Sequence, residues 1–149
     1  MEKELIIKNT ILIDAPAAKV WDILINPQQT KKYMFGCETV SDWKVGSELL
    51  WKGVFDGKEL VAVKGHVVAF HPEKLLAYTT IDPNSAMEDK AENYTTVHYQ
   101  LHEKGGSTEL TITQGDYSKV AEGEKRYNDS MAGGGWGSIL VEIKRIAEE

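Results

Sequence analysis

Cysteine, histidine, basic charge and long apolar runs are all in short supply in this sequence, and each scarcity closes off a class of function. Among 149 residues there is one cysteine, Cys37. No internal disulfide can form, and a reducing compartment is expected. With no basic neighbour to lower its pKa, that thiol is a poor nucleophile. The four histidines, His66, His71, His98 and His102, have no carboxylate or thiol partner at metal-ligand spacing. His98 and His102 would align on a helix, but they fall in a strand-like run that holds them about 13 Å apart. Neither a metal nor a cofactor is expected.

Lys and Arg number 17 against 23 Asp and Glu, a net charge of −6 with the acidic residues dispersed. The electrostatic footprint of a nucleic-acid binder is missing. Apolar runs such as residues 60–63 and 67–70 are too short to span a bilayer. The opening Met1-Glu2-Lys3-Glu4 lacks the basic and apolar regions of a secretory leader, so a cytoplasmic protein without membrane insertion is expected. Asn93-Tyr94-Thr95 and Asn128-Asp129-Ser130 are therefore glycosylation acceptors in form only. No Gly-x-Ser-x-Gly elbow occurs, and no Gly-Lys-Ser/Thr follows the glycines at 133–137, which argues against Ser-His-Asp and phosphate-loop chemistry.

What the chain does contain is a regular alternation of elements. Residues 5–13 are β-rich and end at Asp14-Ala15-Pro16, an N-cap and early-helix proline that suit a strand-to-helix turn. Ala17, Val20, Trp21 and Leu24 recur at helical spacing until Asn26-Pro27 stops the helix, and a second short helix is predicted over 28–33. Six strands follow, over 38–41, 48–55, 60–70, 74–80, 94–101 and 108–114. Val45-Gly46, Asp56-Gly57, His71-Pro72-Glu73 and Gly105-Gly106 supply the reversals, Asp56-Gly57 being a strong hairpin signal. Residues 82–93 form a polar, acidic connection longer than a hairpin needs and are expected to be a mobile surface loop.

A helix around residues 122–131, the triplet Gly133-Gly134-Gly135, then Trp136 and an amphipathic stretch to Ala147 complete the chain. The order predicts one α+β domain over 1–149, with helices on one face of an antiparallel sheet. Within the strands, Val97, Tyr99 and Leu101 share one face, as do Leu110, Ile112 and Gln114; these faces are expected to turn toward the C-terminal helix. Three consecutive glycines disfavour a continuous helix. They mark a kink or loop, or they leave room for cavity volume, a strand or a second subunit.

Ile13-Asp14-Ala15-Pro16 leading into Val20-Trp21, Trp43-Lys44-Val45-Gly46, Gly65-His66-Val67, Pro72-Glu73-Lys74-Leu75, residues 108–114 and the Gly135-Trp136 step occur in an order that resembles a known family. This is the START-like, or birch-pollen-allergen-like, helix-grip superfamily, and within it the group named after the activator of the heat-shock-protein-90 ATPase. The resemblance implies an incurved seven-stranded antiparallel sheet gripping a long C-terminal helix, two short helices after the first strand, and a hydrophobic cavity inside. Members of the superfamily bind lipids, sterols, hormones or polyketides, and some catalyse cyclisation or hydrolysis. The eponymous co-chaperone carries a separate N-terminal chaperone-binding domain for which this chain is expected to have no room, leaving a chaperone partner weakly supported.

On that fold, Tyr78, Tyr99, Gln114, Met131 and Trp136 are the expected cavity residues, together with Tyr33, Val63, Val97 and Ile112. The first expected function is non-enzymatic binding of a small apolar molecule, with Tyr78, Tyr99 and Gln114 orienting it. The second is a cyclase or hydrolase using a cavity Tyr or His66 as acid–base group. The third is an interaction module working through the acidic connection and the outer sheet face, without a ligand.

Overall fold

Strand β1 (Ile7–Ile13) turns Ile7 and Ile13 inward and Lys8, Thr10 and Leu12 outward, the period-two pattern of a sheet with one buried face. In the computed structural model, which describes residues 5–84 and 88–149, it is followed by α1 (Ala17–Ile25) and α2 (Pro27–Tyr33). Helix α1 buries Ala17, Val20, Trp21, Ile23 and Leu24, the expected stripe plus Ile23. Its capping differs from the sequence expectation. Pro16 is the N-cap, and the Ala17 N–H donates to Glu103 Oε1 at 2.6 Å. Asp14 instead accepts from the Ser107 hydroxyl, so a carboxylate from a distant strand satisfies the helix terminus. At α2 the local signal suffices: Asn26 accepts from Gln28 N–H at 2.9 Å with Pro27 next to it.

The remaining strands are β2 (Glu38–Ser41), β3 (Glu48–Phe55), β4 (Lys58–His71), β5 (Leu75–Thr80), β6 (Thr95–Lys104) and β7 (Ser107–Gly115). All pair antiparallel in one sheet of order β1-β7-β6-β5-β4-β3-β2. The first strand therefore closes beside the last, and β2 is the far edge. Asp56 and Gly57 join β3 to β4 with φ of 51° and 77°, the two left-handed residues of the predicted tight hairpin. Register shifts at Trp51/Lys52 and between Val67 and Ala69 are bulges, the usual means of bending a strand. On β6 and β7 the faces carrying Val97, Tyr99 and Leu101, and Leu110 and Ile112, are the buried ones.

The C-terminal region is two helices separated at the glycine triplet, as the kink-or-loop reading expects. Helix α3 (Gly123–Ala132) ends at the glycine triplet, and α4 (Gly137–Glu148) begins after Trp136. Only α4 is gripped: Leu140, Ile143, Ile146 and Ala147 enter the core with Ile13, Val20, Leu24 and Ile112. Gly134 and Gly135 have φ of 86° and 60°, so the triplet is a turn. At Gly135 it is also a close approach to β1, since a Cβ there would lie 2.6 Å from Asn9 Oδ1 and 2.8 Å from Ile7 Cγ2. Asn9 fixes this turn, accepting from Trp136 N–H at 3.0 Å and donating to the Gly134 carbonyl at 3.2 Å.

The expectation of a mobile loop over 82–93 falls partly on residues 85–87, which lie outside the described residues. Its flanks are anchored. Asn84 Nδ2 donates to the Val61 carbonyl at 2.8 Å, Asp89 pairs with Lys64 and accepts from the Tyr94 hydroxyl, and Asn93 accepts from Ala121 N–H.

Candidate functional site

Cross-strand register builds the centre of the site. Tyr78 on β5 stands opposite Val97 on β6, and Val97 opposite Gln114 on β7, so one row of the concave face carries all three. Beside this row lies a cavity of about 390 Å³, within the size range of small-molecule sites. Trp51 of β3, Ala62 and Val63 of β4 and Thr80 of β5 extend the sheet wall. Met34, Phe35 and Cys37, from the segment joining α2 to β2, face it together with Phe55 and Trp136. Phe35 is 79% exposed and stands at the rim.

Aromatic contacts, two of them edge-on, tie the wall to the core. Tyr78 and Tyr99 meet with ring centroids 5.4 Å apart at 83°, Tyr99 and Trp136 at 6.0 Å and 78°, and Trp51 lies 6.3 Å from Tyr78. The polar atoms on the Trp136 side of the wall are paired within the protein, whereas the Trp51 indole N–H has no acceptor among the described residues. Trp136 Nε1–H donates to Gln114 Oε1 at 3.0 Å, and Gln114 Nε2 donates to Thr95 Oγ1 at 3.0 Å. Thr95 and Thr80 share a hydroxyl contact at 3.0 Å, and the Tyr78 and Tyr99 hydroxyls lie 2.5 Å apart. Burial holds the Tyr78 and Tyr99 phenols well above the ordinary tyrosine value, because a phenolate in this setting would lack solvation. Burial also pushes the Cys37 thiol up.

Of the nine residues expected from the sequence, Val63, Tyr78, Val97, Gln114 and Trp136 line the cavity. Tyr99 is buried directly behind Tyr78. Ile112 is fully buried in the core beneath α4. Tyr33 is buried with its hydroxyl donating to the Ile23 carbonyl at 2.9 Å, which turns its polar end toward α1. Met131 is 51% exposed on α3, because the glycine turn separates α3 from the gripped helix. Sequence reasoning missed Met34, Phe35, Cys37, Trp51, Phe55, Ala62 and Thr80. Trp51 and Phe55 belong to a strand whose apolar residues were visible, but the bulge after Trp51 has no local sequence mark.

Among the described residues lining the cavity there is no carboxylate, lysine, arginine or histidine. His66 is exposed on β4, its backbone N–H donating to Thr79 Oγ1. Among the described residues no cluster of three His, Cys, Asp or Glu could hold a metal ion, and no helix is long and apolar enough to cross a membrane.

Residues 14–148 match the family described as Activator of Hsp90 ATPase homolog 1-like protein. A comparison with curated proteins found no match. Among solved structures, the chain is similar to the solution structure of ChR145 from Cytophaga hutchinsonii, with 35% identity and a TM-score of 0.76 over 99% of this chain and 97% of the other. Two more distant likenesses show the fold alone. Protein NE0264 from Nitrosomonas europaea has 19% identity and a TM-score of 0.74, covering 99% of this chain and 97% of its own. The Aha1 dimer from Colwellia psychrerythraea has 20% identity and a TM-score of 0.69, covering 96% of each chain.

Proposed function

The chain belongs to the Activator of Hsp90 ATPase homolog 1-like family, and we propose that it binds a small apolar molecule in the cavity beside Tyr78 and Trp136 without transforming it. Family membership supplies the container and not its contents. The observation that carries the reading is the cavity itself: about 390 Å³ walled by Trp51, Phe55, Val63, Tyr78, Val97 and Trp136. Protein interiors are normally packed to crystal-like density, so open apolar space forgoes dispersion contacts that an occupant restores. Affinity then comes from apolar burial, at about 25 cal/mol per Å² before the costs of association.

The described wall holds no carboxylate, lysine, arginine or histidine, and its phenol and thiol, Tyr78 and Cys37, are both raised by burial. This supports binding over acid–base chemistry, which needs a proton carrier within hydrogen-bond reach of the substrate. The cavity also favours this reading over a ligand-free interaction module, for which a filled interior would serve better.

Two measurements on the same preparation test the proposal. Native mass spectrometry of freshly purified protein, followed by denaturation, is expected to release an apolar molecule or to show an empty chain that takes up added ligand. Titration with N-phenyl-1-naphthylamine is expected to give a saturable one-to-one rise in fluorescence. No co-purified species and no saturable probe uptake would overturn the reading.

A further inference from the structure

Tyr78 and Tyr99 bring two phenolic hydrogens to a single oxygen–oxygen contact of 2.5 Å. One hydrogen lies between the oxygens, and the second belongs to whichever hydroxyl accepts. If Tyr99 accepted, its own hydrogen would point into closed core. Tyr99 is 1% exposed, and among the described residues its hydroxyl has Tyr78 as its partner. A buried O–H without an acceptor forfeits its hydration. Tyr78 is as deeply buried, at 2% exposed, but it lines the cavity and Tyr99 does not, so if Tyr78 accepts, the spare hydrogen sits on the residue an occupant touches. Burial keeps both phenols protonated, so both hydrogens are present throughout the neutral range.

One other polar group of the wall makes a comparable demand: the indole N–H of Trp51, a lining side chain 4% exposed, has no acceptor among the described residues. By contrast, the Gln114 amide oxygen accepts from the Trp136 indole and one of its two N–H groups donates to Thr95, and the side chain is partly exposed, so water can serve the other. Thr80 already contacts Thr95 and is partly exposed, so water can serve its hydroxyl. Tyr78 and the Trp51 indole are the deeply buried donors this wall offers an occupant, and among the described residues the wall holds no cation to balance an anionic ligand.

We propose that Tyr78, held as acceptor by Tyr99, and the Trp51 indole N–H, with the two ring centroids 6.3 Å apart, offer hydrogen-bond donors to an oxygen of the bound molecule, so that the site selects neutral, mostly apolar ketones, esters or ethers over hydrocarbons of the same shape. This rests on the reading that the cavity holds a small molecule, and deepens it by naming the polar feature its ligand carries.

Benzophenone and diphenylmethane test it, being near-isosteres that differ by a carbonyl in place of a methylene. Benzophenone is expected to bind the wild-type protein roughly 5- to 10-fold more tightly, the worth of one net hydrogen bond. The preference is expected to fall in Tyr78→Phe and in Trp51→Phe, and to persist in Tyr99→Phe, which keeps the Tyr78 hydrogen. Because Tyr78→Phe strands the Tyr99 hydroxyl and can impair folding, the carbonyl stretch of benzophenone bound to wild-type protein gives an independent readout. It is expected to shift to lower frequency than in hexane. Equal affinities with an unshifted band would overturn the proposal while leaving apolar binding intact. Failure of both probes to bind would overturn the cavity reading and this one with it.

Discussion

The indole N–H of Trp136, at the start of α4, donates to the side-chain oxygen of Gln114 on β7 across 3.0 Å, joining the gripped helix to the sheet at the cavity wall. Neither group has an easy substitute partner, since the Gln114 nitrogen is engaged by Thr95. Gln114→Leu orphans the indole, and Trp136→Phe orphans the amide oxygen. Each single substitution is expected to cost about 1–3 kcal/mol. The double substitution is expected to cost less than the sum, because it removes both polar groups together. Urea unfolding of the four proteins checks this; strict additivity would mean that the bond does not couple helix to sheet.

The glycine turn offers a comparison within three residues. Gly134 and Gly135 both have left-handed φ, but a Cβ on Gly134 meets nothing within 4 Å, whereas one on Gly135 meets Asn9 Oδ1 and Ile7 Cγ2. Gly134→Ala is expected to cost about 1 kcal/mol, from backbone strain alone. Gly135→Ala is expected to cost about 2–3 kcal/mol, because it also displaces the Asn9 side chain that accepts from Trp136 N–H. Thermal melts of both variants decide it, and equal losses would show that β1 yields freely at this turn.

These two sites show what the sequence makes legible and what it leaves hidden. The row Tyr78, Val97 and Gln114 can be read from period-two alternation, because one apolar face per strand admits one register. The hairpin at Asp56-Gly57 is equally readable, since its backbone demands left-handed residues. Met131 escapes the same logic: its placement depends on the angle between α3 and α4, set by a contact between Gly135 and β1 about 125 residues earlier. Phe35 is hidden for a similar reason, because it reaches the cavity rim from a turn residue with φ of 53°. The α1 cap by Glu103 is another long-range pairing that no local motif announces.

Alkaline pH probes the buried phenols. Tyr33, Tyr78 and Tyr99 are all held above the ordinary tyrosine value of 10.0, with burial the largest cause. Above that pH the unfolded chain releases protons that the folded chain retains, so the folded state binds more protons and stability falls as pH rises. The contribution is undiminished below about pH 10 and declines above it, by about 1.4 kcal/mol per pH unit for each phenol. Absorbance at 295 nm is expected to show these three tyrosines ionising together with loss of the circular-dichroism signal. Reversible ionisation of all six tyrosines in a chain that stays folded would contradict the assignment.

Cys37 reports on occupancy without any substitution. Its thiol is 3% exposed, lines the cavity and is raised by burial, so little thiolate is present at neutral pH. Reaction with a disulfide reagent such as dithionitrobenzoate is expected to be slow in the native protein and fast in urea. Saturating N-phenyl-1-naphthylamine is expected to slow the native reaction further, because the probe fills the space beside the sulfur. An unchanged rate at saturation would place the probe elsewhere.

Filling the cavity from its own wall separates binding from folding. Ala62 lies on β4 between the bulged pairing to Trp51 and the aromatic wall, and it is partly buried. A phenyl ring at this position enters space that is already open, so the overpacking that penalises enlarged core residues is largely avoided. Ala62→Phe is therefore expected to change stability by no more than about 1 kcal/mol while reducing N-phenyl-1-naphthylamine affinity at least roughly tenfold, the equivalent of about 1.4 kcal/mol of lost binding free energy. Urea midpoints and probe titrations on the same samples measure both quantities. A stable variant that still binds with wild-type affinity would move the probe site out of this cavity. Loss of probe uptake with folding intact ties apolar binding to the space bounded by Ala62, Tyr78 and Trp136.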